Sequence, residues 1–209
     1  MRVAVSAPLG TLRLTSAAPA RIVRESRRHA EERIGTHNFT LDDFQGLSMD
    51  EGAELIRHEP VEHAVIYSRA GKALYYRRSW PGDPYRVTMP AGKSGLIRGN
   101  VFVHNHPGSE SFSPEDIWIL LRHGAREVRA YGPERSFRTI ASRRTQRVTS
   151  DSAIGAIRVR YDREVEGAAP LFEDLVDQCI FDDAEARSAL THHALRALSA
   201  RYRFAYMEI

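Results

Sequence analysis

Val101-Phe102-Val103-His104-Asn105-His106-Pro107-Gly108, leading through a short polar loop into Ser113-Pro114-Glu115-Asp116-Ile117, is the stretch from which the rest of the chain can be read. Residues 101–106 have strand character and stop at Pro107-Gly108, because proline cannot donate to a ladder and glycine favours a turn. Ser113 is a good N-cap, Pro114 suits the first helical position, and Asp116 three residues on supplies the acid of a Ser-x-x-acid helix start. Ile117, Leu120 and Leu121 then form an inward face that ends at Gly124. The stretch therefore predicts a strand, a turn and a helix in succession.

Outward from it, residues 126–131 and 136–141 alternate well enough to extend a sheet. Upstream, residues 62–68 and 72–79 predict a hairpin closed by Arg69-Ala70-Gly71 and ended by Pro81 and Pro84. Residues 85–89 predict a further strand, and 91–99 a turn or short helix. Residues 1–60 form an Arg-rich, partly helical extension, with one helix over 20–33 and another opening at the capping-box pattern Ser48-Met49-Asp50-Glu51 and closing before Pro60. Apolar stripes at 171–180 and 184–202 make 146–209 a mostly helical C-terminal region that packs on a core spanning 61–145.

The composition bounds this organisation. A chain of 209 residues, 42% hydrophobic and 27% charged, can bury a single core and is unlike a disordered sequence. Its net charge of +3 is far from the concentrated field of a dedicated nucleic-acid binder, so nucleic acid as a partner is unsupported. Of the 30 basic residues only Lys72 and Lys93 are lysine, a bias read as codon composition before function. Cys179, the single cysteine, excludes intramolecular disulfides and multi-cysteine zinc sites, which fits a reducing cytosol. Arg13 and polar neighbours interrupt any signal-like apolar run, and no window approaches a membrane span; a soluble cytoplasmic protein with no membrane partner is the expectation. Cys179 shares an apolar stripe with Leu175, Val176 and Ile180 and is expected in the core.

The chemistry concentrates where the strand meets the helix. Residues two apart in a strand project from one face, so His104 and His106 converge and can meet a divalent metal at the roughly 2.0 to 2.1 Å of a zinc–nitrogen bond. Asp116, in the first turn of the following helix, is the candidate third ligand. Two imidazoles and a carboxylate leave a fourth position for water, as in catalytic zinc sites. Singly the signals are weak: His-x-His arises by chance in many strands, and Ser-x-x-Asp suits any helix start. Their adjacency carries the reading.

His104-Asn105-His106-Pro107-Gly108-Ser109-Glu110-Ser111-Phe112-Ser113-Pro114-Glu115-Asp116 resembles the motif of the JAMM (MPN-plus) zinc metallopeptidases, most closely their RadC-like and phage-associated bacterial branch. The resemblance covers roughly residues 62–140, and its loop has six residues between His106 and Ser113 where the commonest pattern has seven. It implies an α/β fold of the JAMM/cytidine-deaminase-like type, a mixed β-sheet flanked by helices, here with a helical C-terminal extension. It further implies zinc bound by His104, His106 and Asp116, and Ser113 as the partner of a developing oxyanion. The strand opening Glu62-His63-Ala64-Val65-Ile66-Tyr67 is similar to the Glu-His-apolar strand of RadC-like proteins, which makes Glu62 the general base and leaves Glu59, cut off by Pro60, as its competitor. The implied activity is zinc-dependent hydrolysis of a peptide or isopeptide bond. The implied partners are a peptide or protein substrate, with ubiquitin-like, phage-associated and toxin-associated proteins in scope. Two other readings stay open: a catalytically silent scaffold or binding module of the same fold, and a RadC-like DNA-associated protein.

Other constellations carry less. His58-Glu59-Pro60-Val61-Glu62 fails as a zincin helix, because its fifth position is glutamate and Pro60 would break the helix. His192 and His193 are adjacent on a helix, so their side chains diverge, and both are expected to be solvated or packed. His123, near a helix end, is read as complementing the helix dipole. One cysteine cannot supply the Pro-Cys-x-x-Cys of a nucleobase deaminase.

Overall fold

The structure, a computed structural model, describes residues 37–80 and 82–209. The helix expected at 20–33 lies outside the described residues. Six strands form one mixed sheet: β1 (His63–Tyr67), β2 (Ala73–Arg78), β3 (Val101–Asn105), β4 (Glu127–Tyr131), β5 (Ser136–Ala141) and β6 (Phe204–Glu208). Their spatial order is β2-β1-β3-β4-β5-β6, with β3 and β4 parallel and every other neighbouring pair antiparallel. Among the described residues four α-helices flank it: α1 (Met49–Arg57), α2 (Pro114–Arg122), α3 (Ala153–Asp177) and α4 (Asp183–Tyr202).

The strand, turn and helix read from the sequence form the crossover between the parallel pair β3 and β4. All five residues of β3 are buried, as expected of a central strand covered on both faces. Phe102 points into the larger core with Ile117, Leu120, Leu121, Val128, Ile157, Leu195 and Leu198, on the side of α2, α3 and α4. Val101 and Val103 point the other way, into a smaller core with Phe44, Ala53, Ile56, Val65 and Tyr67, on the side of α1. The alternation continues past the apolar part of β3, so His104 belongs to the α2 face and Asn105 to the α1 face.

Local signals set the element ends. Ser48 caps α1 and Ser113 caps α2, each accepting from the third residue on and each returned by that residue's carboxylate. The residue after α2's C-cap is Gly124, at φ +73°, a left-handed turn that costs glycine little.

Three expectations are corrected. Residues 85–89 form no strand; Val87 and Met89 pack on the core without entering a ladder. The helix expected from 171 begins at Ala153, runs through Pro170 and stops at Asp177, short of 180. Cys179 is exposed, at φ +57°, in the turn between α3 and α4. The C-terminal region is mostly helical and closes on β6, which pairs along the full length of β5. No helix among the described residues is long and apolar enough to cross a membrane.

Candidate metal centre

The site forms at the carboxyl end of β3, where the chain leaves the sheet before entering α2. His104 is fully buried and His106 partly so. Their Nε2 atoms lie 2.9 Å apart. Asp116 comes in from the first turn of α2, with Oδ1 3.1 Å from His104 Nε2 and Oδ2 3.6 Å from His106 Nε2. The one-residue-shorter loop therefore still delivers the aspartate to both rings. Glu62, immediately before β1, completes the group: ligand atoms of Glu62, His104 and His106 all lie within 4.8 Å of one another. The register explains its arrival, since Ala64 pairs with His104 and two residues further along the antiparallel strands Glu62 falls opposite His106.

The loop is held from several sides. Ser109 N–H donates to the His106 carbonyl, Glu134 N–H to Ser109 Oγ, and Ser111 Oγ pairs with Tyr206 Oη of β6 at 2.8 Å. A Cβ on Gly132 would come within 2.5 Å of Ser109 Cα, so only a residue without one lets the turn after β4 lie this close.

His106 Nδ1 lies 2.7 Å from the Glu110 carbonyl. A carbonyl can only accept, so Nδ1 carries the proton and Nε2 turns a lone pair into the site. Ser113 gives its backbone N–H and its hydroxyl to Asp116 Oδ2, both at 2.8 Å, which fixes the carboxylate. Burial works against charge on Asp116, yet the two imidazoles and the Ser113 amide outweigh it and hold its pKa well below the usual carboxylate range. For His104 burial also opposes charge, and the Asp116 carboxylate outweighs it and raises the pKa. Burial and the neighbouring His104 lower that of His106. Glu62 is pushed up to about 8, chiefly by desolvation, with His104 working the other way.

Two imidazole nitrogens and two carboxylates thus converge on one point, a donor set that suits a cation. Ligand atoms around a tetrahedral ion with bonds of about 2.0 to 2.1 Å should sit about 3.3 to 3.4 Å apart. The two imidazole nitrogens lie 2.9 Å apart, and the two oxygens of Asp116 approach one ring each at 3.1 and 3.6 Å, spacings compatible with a bound metal ion.

The chain matches no known family model, no curated protein and no solved structure. The site therefore speaks through its own geometry.

Glu59 lies elsewhere: its carboxylate meets His37 Nδ1 at 2.6 Å and comes within 3.9 Å of the His63 ring. His192 bonds Tyr206 Oη, and His193 lies at the surface near Glu164. His123 packs edge-on against Trp118. Sequence reading passed over Asn105, Glu110 and Tyr206. The last two act through a backbone carbonyl and a distant strand, which leave no local pattern, whereas a polar residue between two strand-end histidines is visible in the sequence.

Proposed function

We propose that the chain is a zinc-dependent hydrolase that cleaves an amide, either a peptide or an isopeptide bond, as its resemblance to JAMM peptidases implies. One observation carries the reading: two imidazole nitrogens and a fixed carboxylate drawn within 3.6 Å of one another, with a second carboxylate beside them that is shielded from water. His104, His106 and Asp116 would hold the ion, which when bound supplies Lewis-acid polarisation of the amide carbonyl and makes a water more acidic.

Of the two carboxylates, Asp116 is held ionised by the rings and by Ser113, as a ligand should be, whereas the desolvated Glu62 holds a proton more readily. That difference suits Glu62 to accept the proton of the attacking water and return it to the leaving nitrogen. Ser113 orients Asp116 through its hydroxyl; to serve a developing oxyanion as well, that hydroxyl would turn from Asp116 toward the substrate oxygen. The mixed sheet with the motif on its parallel crossover supports a JAMM-like fold.

The test is metal titration of the purified protein joined to cleavage of a quenched-fluorescent peptide library and a lysine-linked isopeptide. One zinc per chain and chelator-sensitive cleavage are expected. A chain that takes up no zinc at saturating concentration would overturn the reading.

A further inference from the structure

We infer that Asn105 is a positioning residue that sets the place of Glu62, by using its side-chain amide to carry the pairing of β1 and β3 past the point where their backbone ladder ends.

The ladder between these strands stops at Ala64 and His104. Beyond it, the Asn105 amide takes over. Its Oδ1 accepts from His63 N–H at 2.6 Å, and its Nδ2 donates to the carbonyls of Val61 and Glu59 at 3.0 and 3.2 Å. Only one orientation of the amide makes all three bonds, because the flipped group would set donor against donor and acceptor against acceptor. Asn105 is 0% exposed, so each bond is made away from water, where leaving a partner unsatisfied is costly.

The bonded groups flank Glu62 in sequence. From the β2 side, Glu62 itself is gripped by Pro84, whose carbonyl accepts its N–H at 2.7 Å, and by Ser79, whose N–H donates to its carbonyl at 2.8 Å. From the β3 side the Asn105 side chain bonds residues 59, 61 and 63. Strand alternation then makes one residue trio serve two tasks. His104 and His106 face the site, while Asn105, between them, faces the α1 side and ties down the segment that brings Glu62 to the same site. The metal-facing atoms and the base are thereby referred to one strand end. A displacement of about 1 Å in such a constellation can cost about 10²-fold in rate.

The inference rests on the reading of Glu62 as the base, and its test separates the two. Asn105→Ala should bind zinc with the wild-type stoichiometry, leave KM for the cleaved library peptide within about twofold, and lower kcat by about 10²-fold. In a Glu62→Gln background the same substitution should cost no more than about twofold, because what Asn105 places is already gone. Hydrogen exchange on the metal-free protein should show the His63 amide losing protection while the amides of β4 and β5 keep theirs. Should Asn105→Ala fail to fold, Asn105→Asp, which keeps the acceptor toward His63 and loses both donors, should still separate zinc binding from kcat. An unchanged kcat, an equal loss in both backgrounds, or an unaltered His63 amide would overturn the inference. A wild-type chain with neither zinc nor turnover would overturn the hydrolase reading instead, and the exchange arm would still decide whether Asn105 holds this segment.

Discussion

Two buried clusters of charge lie on opposite faces of the sheet, and they are completed differently. On the α1 face, Glu127 accepts from the guanidinium groups of Arg129 and Arg138, and Arg129 reaches on to Asp50 and Tyr131. Every strong acceptor there has a donor, and the cluster is closed. On the α2 face, two imidazole nitrogens and the carboxylates of Asp116 and Glu62 draw together with no arginine or lysine among the contacts described. Burial of charge costs several kcal/mol per ion unless it is compensated. The first cluster is compensated by the protein itself, whereas the second gathers a donor set compatible with a cation.

Breaking the open cluster should cost chemistry before it costs stability. Glu62→Gln should keep zinc and lose about 10³-fold or more in amide cleavage, within the range of a removed general base, whereas His104→Ala should lose metal and turnover together. Full activity in the Gln variant would remove Glu62 from the role of base.

Breaking the closed cluster should do the reverse. Glu127→Ala strands two guanidinium groups at a buried carboxylate site, so urea denaturation should show a loss of about 3 to 5 kcal/mol with zinc stoichiometry unchanged. A stability close to wild type would show that the network is not the closed unit described.

A third probe is protonation. His63, on the α1 face, stacks on Tyr76 and bonds its hydroxyl; burial, with Arg78 and His37 nearby, lowers its pKa from 6.5 to about 4. A base with a depressed folded pKa contributes stability that is fully present above 6.5 and is lost as pH falls toward 4, because the unfolded chain takes the proton first. The difference between wild type and His63→Phe in unfolding free energy from urea denaturation should therefore shift by an amount on the order of 3 kcal/mol between pH 7.5 and 4. A pH-independent difference would place the His63 titration outside folding.

The smallest effect is expected where the site loop meets the turn after β4. Gly132→Ala pushes a methyl against the backbone of Ser109 and should weaken zinc binding about tenfold, roughly 1.4 kcal/mol, with little change in melting temperature. Unaltered zinc affinity would mean that the loop yields freely.

What the sequence made legible was local. The strand, turn and helix at 101–124, the hairpin, and the caps at Ser48 and Ser113 rest on periods and signals a few residues long, and the described structure contains each of them. The elements that were missed lacked such signals. Residues 85–89 alternate because Val87 and Met89 pack inward, and that alternation is the same whether or not a neighbouring strand is there to pair. α3 buries only Ile157 and Ala168 among its 25 residues, too sparse a stripe to read before Pro170, which itself looks like a stop. α4 ends on Arg203 in the left-handed region, where glycine is the usual sign, and β6 was hidden behind it. In the candidate site, the juxtaposition of His104, His106 and Asp116 was visible because the three share one strand, loop and helix start. The bonds that hold the loop in place depend on Tyr206, far along the chain, which only the folded arrangement reveals.

The distribution of the site along the chain has a further consequence. His104, His106 and Asp116 belong to one strand, loop and helix start, whereas Glu62 arrives through a different strand. On the proposed reading, capture of an ion and readiness to react would be settled by separate contacts. A molecule whose first strand has come loose at its leading end would stay loaded yet idle, and the activity of a preparation would fall below its metal content.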